Sequence, residues 1–111
     1  MSNPYLDAFR EYSDSFDRKE IEIRQLKDPK TGEPPLIIYS SPFTMNDRMK
    51  LSRASGEDHH DFVVRAFILK AEDKEGNKIF DLSDKVDLMN MNIPDILTEV
   101  VTEMGNIEPP N

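Results

Sequence analysis

The chain has 111 residues, about the size of one domain that buries a core without metals or disulfides. It contains no cysteine, which excludes disulfides, thiolate metal sites and cysteine nucleophiles, and its 22 acidic and 14 basic residues give a formal net charge of -8. This charge disfavours binding to nucleic acid and anionic membranes, and no apolar run approaches the roughly 20 residues that cross a bilayer, so we expect a cytoplasmic domain.

The first segment, residues 3–16, is predicted to form an amphipathic helix, and we treat residues 1–19 as an N-terminal element of their own. It opens with an Asn-Pro helix start, and its apolar side chains recur every three or four residues. These side chains are Tyr5, Leu6, Phe9, Tyr12 and Phe16. Such a stripe either packs within the chain or docks on another protein, and the pattern alone does not separate the two.

A β-hairpin is predicted next. Residues 20–26 alternate the apolar Ile21 and Ile23 with charged neighbours, which is the two-residue period of a half-buried strand. Residues 28–35 are rich in proline and other turn formers, and a second β-rich run follows at residues 36–40. The loop between the two strands is longer than a tight two-residue turn.

Three helices are predicted in the middle of the chain. Thr44 and Asp47 have the spacing of a capping box and start a helix of about three turns. Residues 62–70 show the apolar spacing of a better buried helix, the predicted central helix of the core. Asp81 is placed to cap a third, short helix that runs to about residue 91. The predicted buried side of this third helix is formed by Leu82, Val86 and Met89.

A last helix is predicted to start in the Asn-Ile-Pro-Asp segment at residues 92–95 and to end at Gly105. Its apolar stripe consists of Ile96, Leu97, Val100, Val101 and Met104. Residues 106–111 contain two prolines and are predicted to form a flexible tail. Together the elements predict an α+β fold, a mostly helical single domain of about four to five helices with one N-terminal β-hairpin.

The sequence offers no catalytic or metal-binding constellation. On a helix, the adjacent His59 and His60 point about 100 degrees apart, so their imidazoles do not share one ion as residues four apart do. The glycines are isolated, which excludes a phosphate-cradling loop, and no serine lies in a nucleophile-elbow pattern. We therefore expect no enzyme activity, no metal and no cofactor.

The second half of the chain has a distinctive order of elements. A helix at residues 62–69 leads to an acidic Asp-x-x-Gly turn at residues 72–78, then to an Ile-Phe pair, a short acidic segment at residues 81–84 and a final apolar helix. This order resembles that of the phage tail assembly chaperone family of long-tailed phages. The resemblance covers residues 20–105, which we take as a tail-assembly-chaperone-like domain.

The resemblance implies a protein that acts in the host cytoplasm and is not part of the mature virion. Proteins of this family bind the tape measure protein and promote polymerisation of the tail tube around it. The implied partners are therefore the tape measure protein and the tail tube protein, with self-association left open. The family has no catalytic residues to transfer to this chain.

Two apolar stripes are the candidate partner-binding surfaces, one on the first helix and one on the last. Their residues are Tyr5, Phe9, Tyr12 and Phe16 on the first helix and Ile96, Leu97, Val100, Val101 and Met104 on the last. The chain also has six methionines, which suit an adaptable binding surface, although each one taken singly is also typical of core filling.

Two other functions remain as alternatives. One is a structural component of the virion, such as a tail completion or head-tail connector protein. The other is an acidic inhibitor that mimics nucleic acid and blocks a host DNA-binding protein. This inhibitor requires carboxylates spread along one elongated face, whereas here they cluster helix by helix, mainly on the polar faces.

Overall fold

Helix α1 spans Pro4–Asp14 in the computed structural model, which describes residues 3–105 apart from the side chain of Pro94. The side-chain oxygen of Asn3 accepts hydrogen bonds from the N–H groups of Tyr5 and Leu6 at 3.0 and 3.3 Å, which satisfies two free donors at the helix start. The predicted N-terminal helix is confirmed. The tail predicted at residues 106–111 lies outside the described residues.

Strands β1 (Lys19–Ile23) and β2 (Leu36–Ser40) form the predicted hairpin. They pair antiparallel, with Ile21 opposite Ile38. Along β1 the isoleucines are buried and the glutamates are exposed, as the two-residue period of a half-buried strand requires. Backbone hydrogen bonds within the loop between the strands close it on itself, so the long connection is ordered by its own turns.

Four helices complete the body: α2 (Met45–Ser55), α3 (His59–Lys70), α4 (Lys85–Met89) and α5 (Pro94–Gly105). Helix α3 lies at the centre, where it packs against α2, α4 and α5, and α5 also packs against β1. The buried apolar residues that form the core are Ile21, Ile23, Ile38, Val63, Val64, Phe67, Ile68, Ala71, Leu88, Leu97, Val100 and Met104. Residues 3–105 thus contain five α-helices and one hairpin, which confirms the predicted α+β class.

Helix α2 begins with the predicted capping box. The Asp47 N–H donates to the Thr44 hydroxyl at 3.0 Å, and the Thr44 N–H donates to the Asp47 carboxylate at 2.9 Å. The same carboxylate lies 2.9 Å from Nζ of Lys70, so the start of α2 is tied to the end of α3. Burial opposes the ionisation of Asp47, but hydrogen bonds from Lys70 and Thr44 outweigh it and lower the pKa of Asp47.

The segment after α3 returns to the hairpin. Glu72 and Tyr39 exchange two backbone hydrogen bonds of 2.8 and 2.9 Å along the second edge of β2. In the turn that follows, the Asp73 carboxylate accepts the N–H groups of Asn77 and Glu75 at 2.9 and 3.0 Å, and these bonds, that from Asn77 above all, lower the pKa of Asp73. This pairing protects part of the edge of β2 that β1 leaves open.

The short helix α4 faces the core with a different side from the predicted one. A 3-10 turn (Leu82–Asp84) precedes it, and its buried residue is Leu88. One turn before Leu88, Lys85 forms an ion pair with Asp61 of α3, and this pair directs the shared face of Lys85 and Leu88 towards α3. The three residues predicted to be buried are therefore exposed: Leu82, Val86 and Met89.

Helix α1 stands apart from this body. None of the residues of α1 is buried, although the helix is amphipathic. The described chain measures 51 × 35 × 21 Å, with a radius of gyration of 15.6 Å. A compact domain of 100 residues has a radius of gyration of about 13 Å, so the projecting helix makes this protein unusually elongated for its length.

Candidate protein-binding surfaces

The N-terminal aromatic stripe, formed by Tyr5, Phe9, Tyr12 and Phe16, lies largely in solvent. The exposed fractions of Tyr5, Phe9 and Tyr12 are 80%, 75% and 55%. Phe16 is half-buried and meets the ring of Tyr12 edge-on, with 5.0 Å between the ring centroids. Contiguous exposed aromatic side chains of this kind typically mark a surface that another molecule covers.

Arg18 fixes the point where the chain leaves α1 and enters the body. Its guanidinium donates to the backbone carbonyls of Asp73 and Lys74 at 3.3 and 2.9 Å, and it lies 3.5 Å from the carboxylate of Glu72. It also lies over the ring of Tyr39, 5.0 Å from the centroid. The connection after α1 is therefore anchored at Arg18, while the aromatic stripe itself remains uncovered.

The stripe on α5 was predicted as a second binding face, and the structure corrects this. Leu97, Val100 and Met104 are only 5%, 4% and 2% exposed, because α5 lies against α3 and β1 and uses this side as part of the core. Ile96 and Val101 are half-buried and pack against the same core. Val100 and Met104 are therefore not available to a partner while the fold is intact, and Leu97 is nearly buried.

A groove of about 320 Å³ opens between α3, α4 and α5. Nearly buried side chains such as Leu88 and Leu97 form its floor, and the exposed Met89 and Met91 form its edge. We call it the methionine groove, and its remaining lining residues are Asp58, His60, Val63, Val64 and Thr98. Methionine edges suit a groove that receives apolar side chains of varied shape, because the thioether is flexible and polarisable.

The methionines were recognisable in the sequence as candidates for a binding surface, but the groove was not. Met89 was placed on the buried side of α4, but α4 turns Leu88 and Lys85 towards α3 and leaves Met89 at the surface. The sequence did hold one signal for the correct orientation. Lys85 and Leu88 are three residues apart and therefore share one face of α4. This pairing of a cation with an apolar side chain indicated a second possible buried face for the helix.

Asp61 joins α3 to α4 beside the core. Its carboxylate accepts a hydrogen bond from Nε of Arg65 at 2.6 Å and contacts Nζ of Lys85. The hydrogen bond from Lys85, and after it that from Arg65, outweigh burial and lower the pKa of Asp61 to about 2. Asp61 is therefore ionised at neutral pH and neutralises part of the charge of two cations.

Helix α2 exposes two further methionines away from the methionine groove. Met45 and Met49 are four residues apart, so they share one face of α2, and both are exposed. Neither of them lines the methionine groove. They provide exposed methionine positions at which a substitution leaves that groove unchanged.

The two histidines lie in the first turn of α3, after the cap formed by Asp58. Their ring centroids are 6.1 Å apart, at a steep interplanar angle. Across residues 3–105, no group of three or more histidine, aspartate or glutamate side chains is arranged to hold a metal ion. No helix in the same range has both the length and the apolar character needed to span a membrane.

Comparison of the chain with protein-family models, with curated proteins and with solved structures found no match. The surfaces of the chain are therefore the guide to its function. Two of them expose apolar side chains in an ordered arrangement: the N-terminal aromatic stripe and the methionine groove.

Proposed function

We propose that this protein is a tail assembly chaperone of a long-tailed phage, which binds the tape measure protein in the host cytoplasm and promotes polymerisation of the tail tube. It acts by binding proteins, without catalysis and without remaining in the mature virion. The order of elements in residues 20–105 supports this proposal through the resemblance described above, and the exposed surfaces support it through their chemistry.

The observation that carries the proposal is the N-terminal aromatic stripe. A helix that keeps Tyr5, Phe9 and Tyr12 in solvent has a face ready for an apolar partner. Aromatic side chains bury about 150–250 Å² each, so three of them supply much of a standard interface. A tape measure protein is long, largely helical and apolar, and it offers many sites for such a face.

The charge of the chain supports a holding role. A net charge of -8 opposes non-specific association between complexes, while the apolar surfaces bind the client. Exposed methionines at the groove edge add a contact that tolerates different client side chains. Together these properties favour reversible binding of an apolar client over a permanent structural joint.

Co-expression with the tape measure protein tests the proposal. The measurements are the soluble fraction of the tape measure protein and its co-purification with this chain, with an unrelated helical protein of similar length as the control client. We expect selective solubilisation and co-purification of the tape measure protein. An insoluble or unbound tape measure protein contradicts the proposal, and detection of the chain in purified particles favours the virion-component alternative.

Two sets of substitutions locate the contact on α1. In the first, Tyr5→Ser, Phe9→Ser and Tyr12→Ser together remove the exposed aromatic rings. In the second, Asp7→Asn, Glu11→Gln and Asp14→Asn change the opposite, polar side of the same helix. We expect the first set to abolish co-purification and the second to preserve it, because the two sets occupy different faces of one helix.

A further inference from the structure

We propose that the methionine groove binds an amphipathic helix whose apolar face is flanked by lysine or arginine side chains. The inference rests on the proposed function, since this helix is a segment of the client protein. Two properties of the groove support it: the apolar lining and the negative charge of the helices around it.

The lining of the groove suits one face of a helix. Leu88 and Leu97 are nearly buried and form an apolar floor, and Met89 and Met91 are exposed at the edge. An amphipathic helix enters such a groove with apolar anchors spaced three or four residues apart. Because methionine side chains change shape easily, the edge can close around anchors of different size.

Every lysine and arginine on the helices that form the groove is held in an ion pair. Arg65 of α3 and Lys85 of α4 both contact Asp61. Lys70, at the end of α3, lies 2.9 Å from the carboxylate of Asp47. Helix α5 contains no lysine or arginine. Lys70 is therefore balanced by one carboxylate, whereas Arg65 and Lys85 share the single carboxylate of Asp61, and none of these three cations lines the groove.

One carboxylate lines the groove, and two more are exposed on helices that contribute to it. Asp58 lines it directly at the start of α3. Asp87 of α4 and Asp95 of α5 are exposed on two of the helices that contribute lining residues. Neither Asp87 nor Asp95 forms an ion pair with any residue between 3 and 105. With Asp58 at the groove, no lysine or arginine in its lining and two exposed carboxylates on the surrounding helices, basic side chains are attracted to this surface.

Charge also argues against a second copy of this chain as the occupant. The exposed apolar helix that the chain offers is α1, which carries Asp7, Glu11 and Asp14 and a single base, Arg10. Docking α1 of one copy in the groove of another brings net negative charge to a surface with exposed carboxylates, and like charges repel. The occupant that fits is a basic helix of a different protein.

The test uses two fluorescent synthetic peptides of about 18 residues, long enough for several turns of an amphipathic helix. One has a leucine face flanked by lysines, and the other is identical except that every lysine is glutamate. Fluorescence anisotropy measures their binding to the full chain. We expect the lysine peptide to bind and the glutamate peptide not to bind. The affinity of the lysine peptide should fall about tenfold or more when the sodium chloride concentration rises from about 0.05 M to about 0.5 M.

Variants of the full chain locate the site. Met89→Lys places a positive charge at the groove edge, and Met45→Lys makes the same change at an exposed position of α2 outside the groove. We expect Met89→Lys to lower the affinity for the lysine peptide at least about tenfold, and Met45→Lys to leave this affinity unchanged. Equal binding of the two peptides, or equal effects of the two variants, overturns the proposal.

The outcomes for the groove and for the chaperone function are separate. If the tape measure protein co-purifies but the lysine peptide does not bind, the groove proposal is wrong and the proposed function stands. If the lysine peptide binds in the groove but the tape measure protein is not held, the groove proposal stands and the proposed function is wrong. If sedimentation shows that the chain forms dimers and that dimer formation prevents the lysine peptide from binding, a second copy is the occupant and the groove proposal is overturned.

Discussion

Helices α1 and α5 carry the same kind of apolar periodicity and have opposite environments. In α5 the central side chains Leu97, Val100 and Met104 are nearly inaccessible, whereas in α1 no residue is buried. Both helices have polar faces, and both are close to 11 residues long, so neither length nor pattern distinguishes them. The difference lies in what the rest of the chain places opposite each stripe.

Within residues 3–105, the fold provides a complement for α5 and none that buries α1. The central helix α3 and the buried isoleucines of β1 face the stripe of α5 and complete one core with it. The ion pair of Lys19 with Glu103, 3.3 Å apart, also joins β1 to α5. Periodicity thus predicts that a helix has an apolar face, but it does not predict whether the partner of that face lies in the same chain.

The largest expected effect on stability comes from a substitution in α5. Val100→Asp places a carboxylate in the core without a partner, and we expect a loss of about 4 kcal/mol or more in the free energy of unfolding, enough to unfold much of the chain. Urea unfolding followed by circular dichroism measures this loss. Glu99→Asp, at the exposed neighbouring position, serves as the control and is expected to change stability by less than about 0.5 kcal/mol. A stable Val100→Asp variant contradicts the assignment of this stripe to the core.

The next effect concerns Asp61, which holds together the body that buries α5. Folding lowers the pKa of Asp61 from 3.8 to about 2, so its stabilisation is fully present above about pH 4 and is lost as the pH falls towards 2. A shift of this size corresponds to about 2 kcal/mol. At pH 7 we expect the Asp61→Asn variant to be less stable than the wild type by about this amount. When the pH falls from 4 to 2, the free energy of unfolding of the variant should decrease less than that of the wild type.

Thermal unfolding at a series of pH values measures the effect of Asp61→Asn. Asp87→Asn is the matched control, since Asp87 is exposed and has no ion pair among residues 3–105. If both variants follow the wild-type pH profile, the ion pairs of Asp61 with Lys85 and Arg65 do not contribute to stability.

Most of the fold was predictable because its signals are local. The alternation of Ile21 and Ile23, the capping box of Thr44 and Asp47, and the apolar spacing of α3 each depend on residues within one element. The orientation of α4 was predicted wrongly, because it depends on an ion pair with a residue on another helix. The local pattern favoured the face that contains Leu82, Val86 and Met89. In the structure, the opposite face with Lys85 and Leu88 contacts α3.

The candidate site was predictable only in part. The aromatic residues of α1 were named correctly as an amphipathic stripe, but the pattern left open whether the chain covers them. The methionine groove was not predicted, since its lining residues come from three helices that only the tertiary structure brings together. The position of Arg18 on the turn after α3 was also beyond sequence reasoning, because it joins distant segments.

A smaller effect is expected where the two regions meet. Arg18→Ala removes the contacts to the carbonyls of Asp73 and Lys74, and we expect a loss of about 1 kcal/mol in stability. Hydrogen exchange should become faster in residues 15–18, since the anchor of the connection is gone. Arg10→Ala is the control, because the one ion pair that Arg10 forms within residues 3–105 is with Asp7 on α1, at 3.6 Å, and both side chains are exposed. Equal exchange in the two variants contradicts the anchoring role of Arg18.

The smallest effect on stability is expected on the N-terminal aromatic stripe, and it provides the sharpest contrast with α5. Phe9→Asp is the same type of substitution as Val100→Asp, but Phe9 is already in solvent, so the free energy of unfolding should change by less than about 0.5 kcal/mol. Client binding should fall about tenfold or more, because an aromatic anchor is replaced by a charge.

Arg10→Asp introduces the same side chain on the polar side of α1 and is expected to change neither stability nor client binding strongly. Urea unfolding and co-purification with the tape measure protein measure both properties on both variants. A destabilisation by Phe9→Asp comparable to that of Val100→Asp means that α1 packs against the body in solution, since a side chain that contacts nothing has no folding energy to lose. In that case the two stripes are alike, and α1 is not the binding surface that we propose.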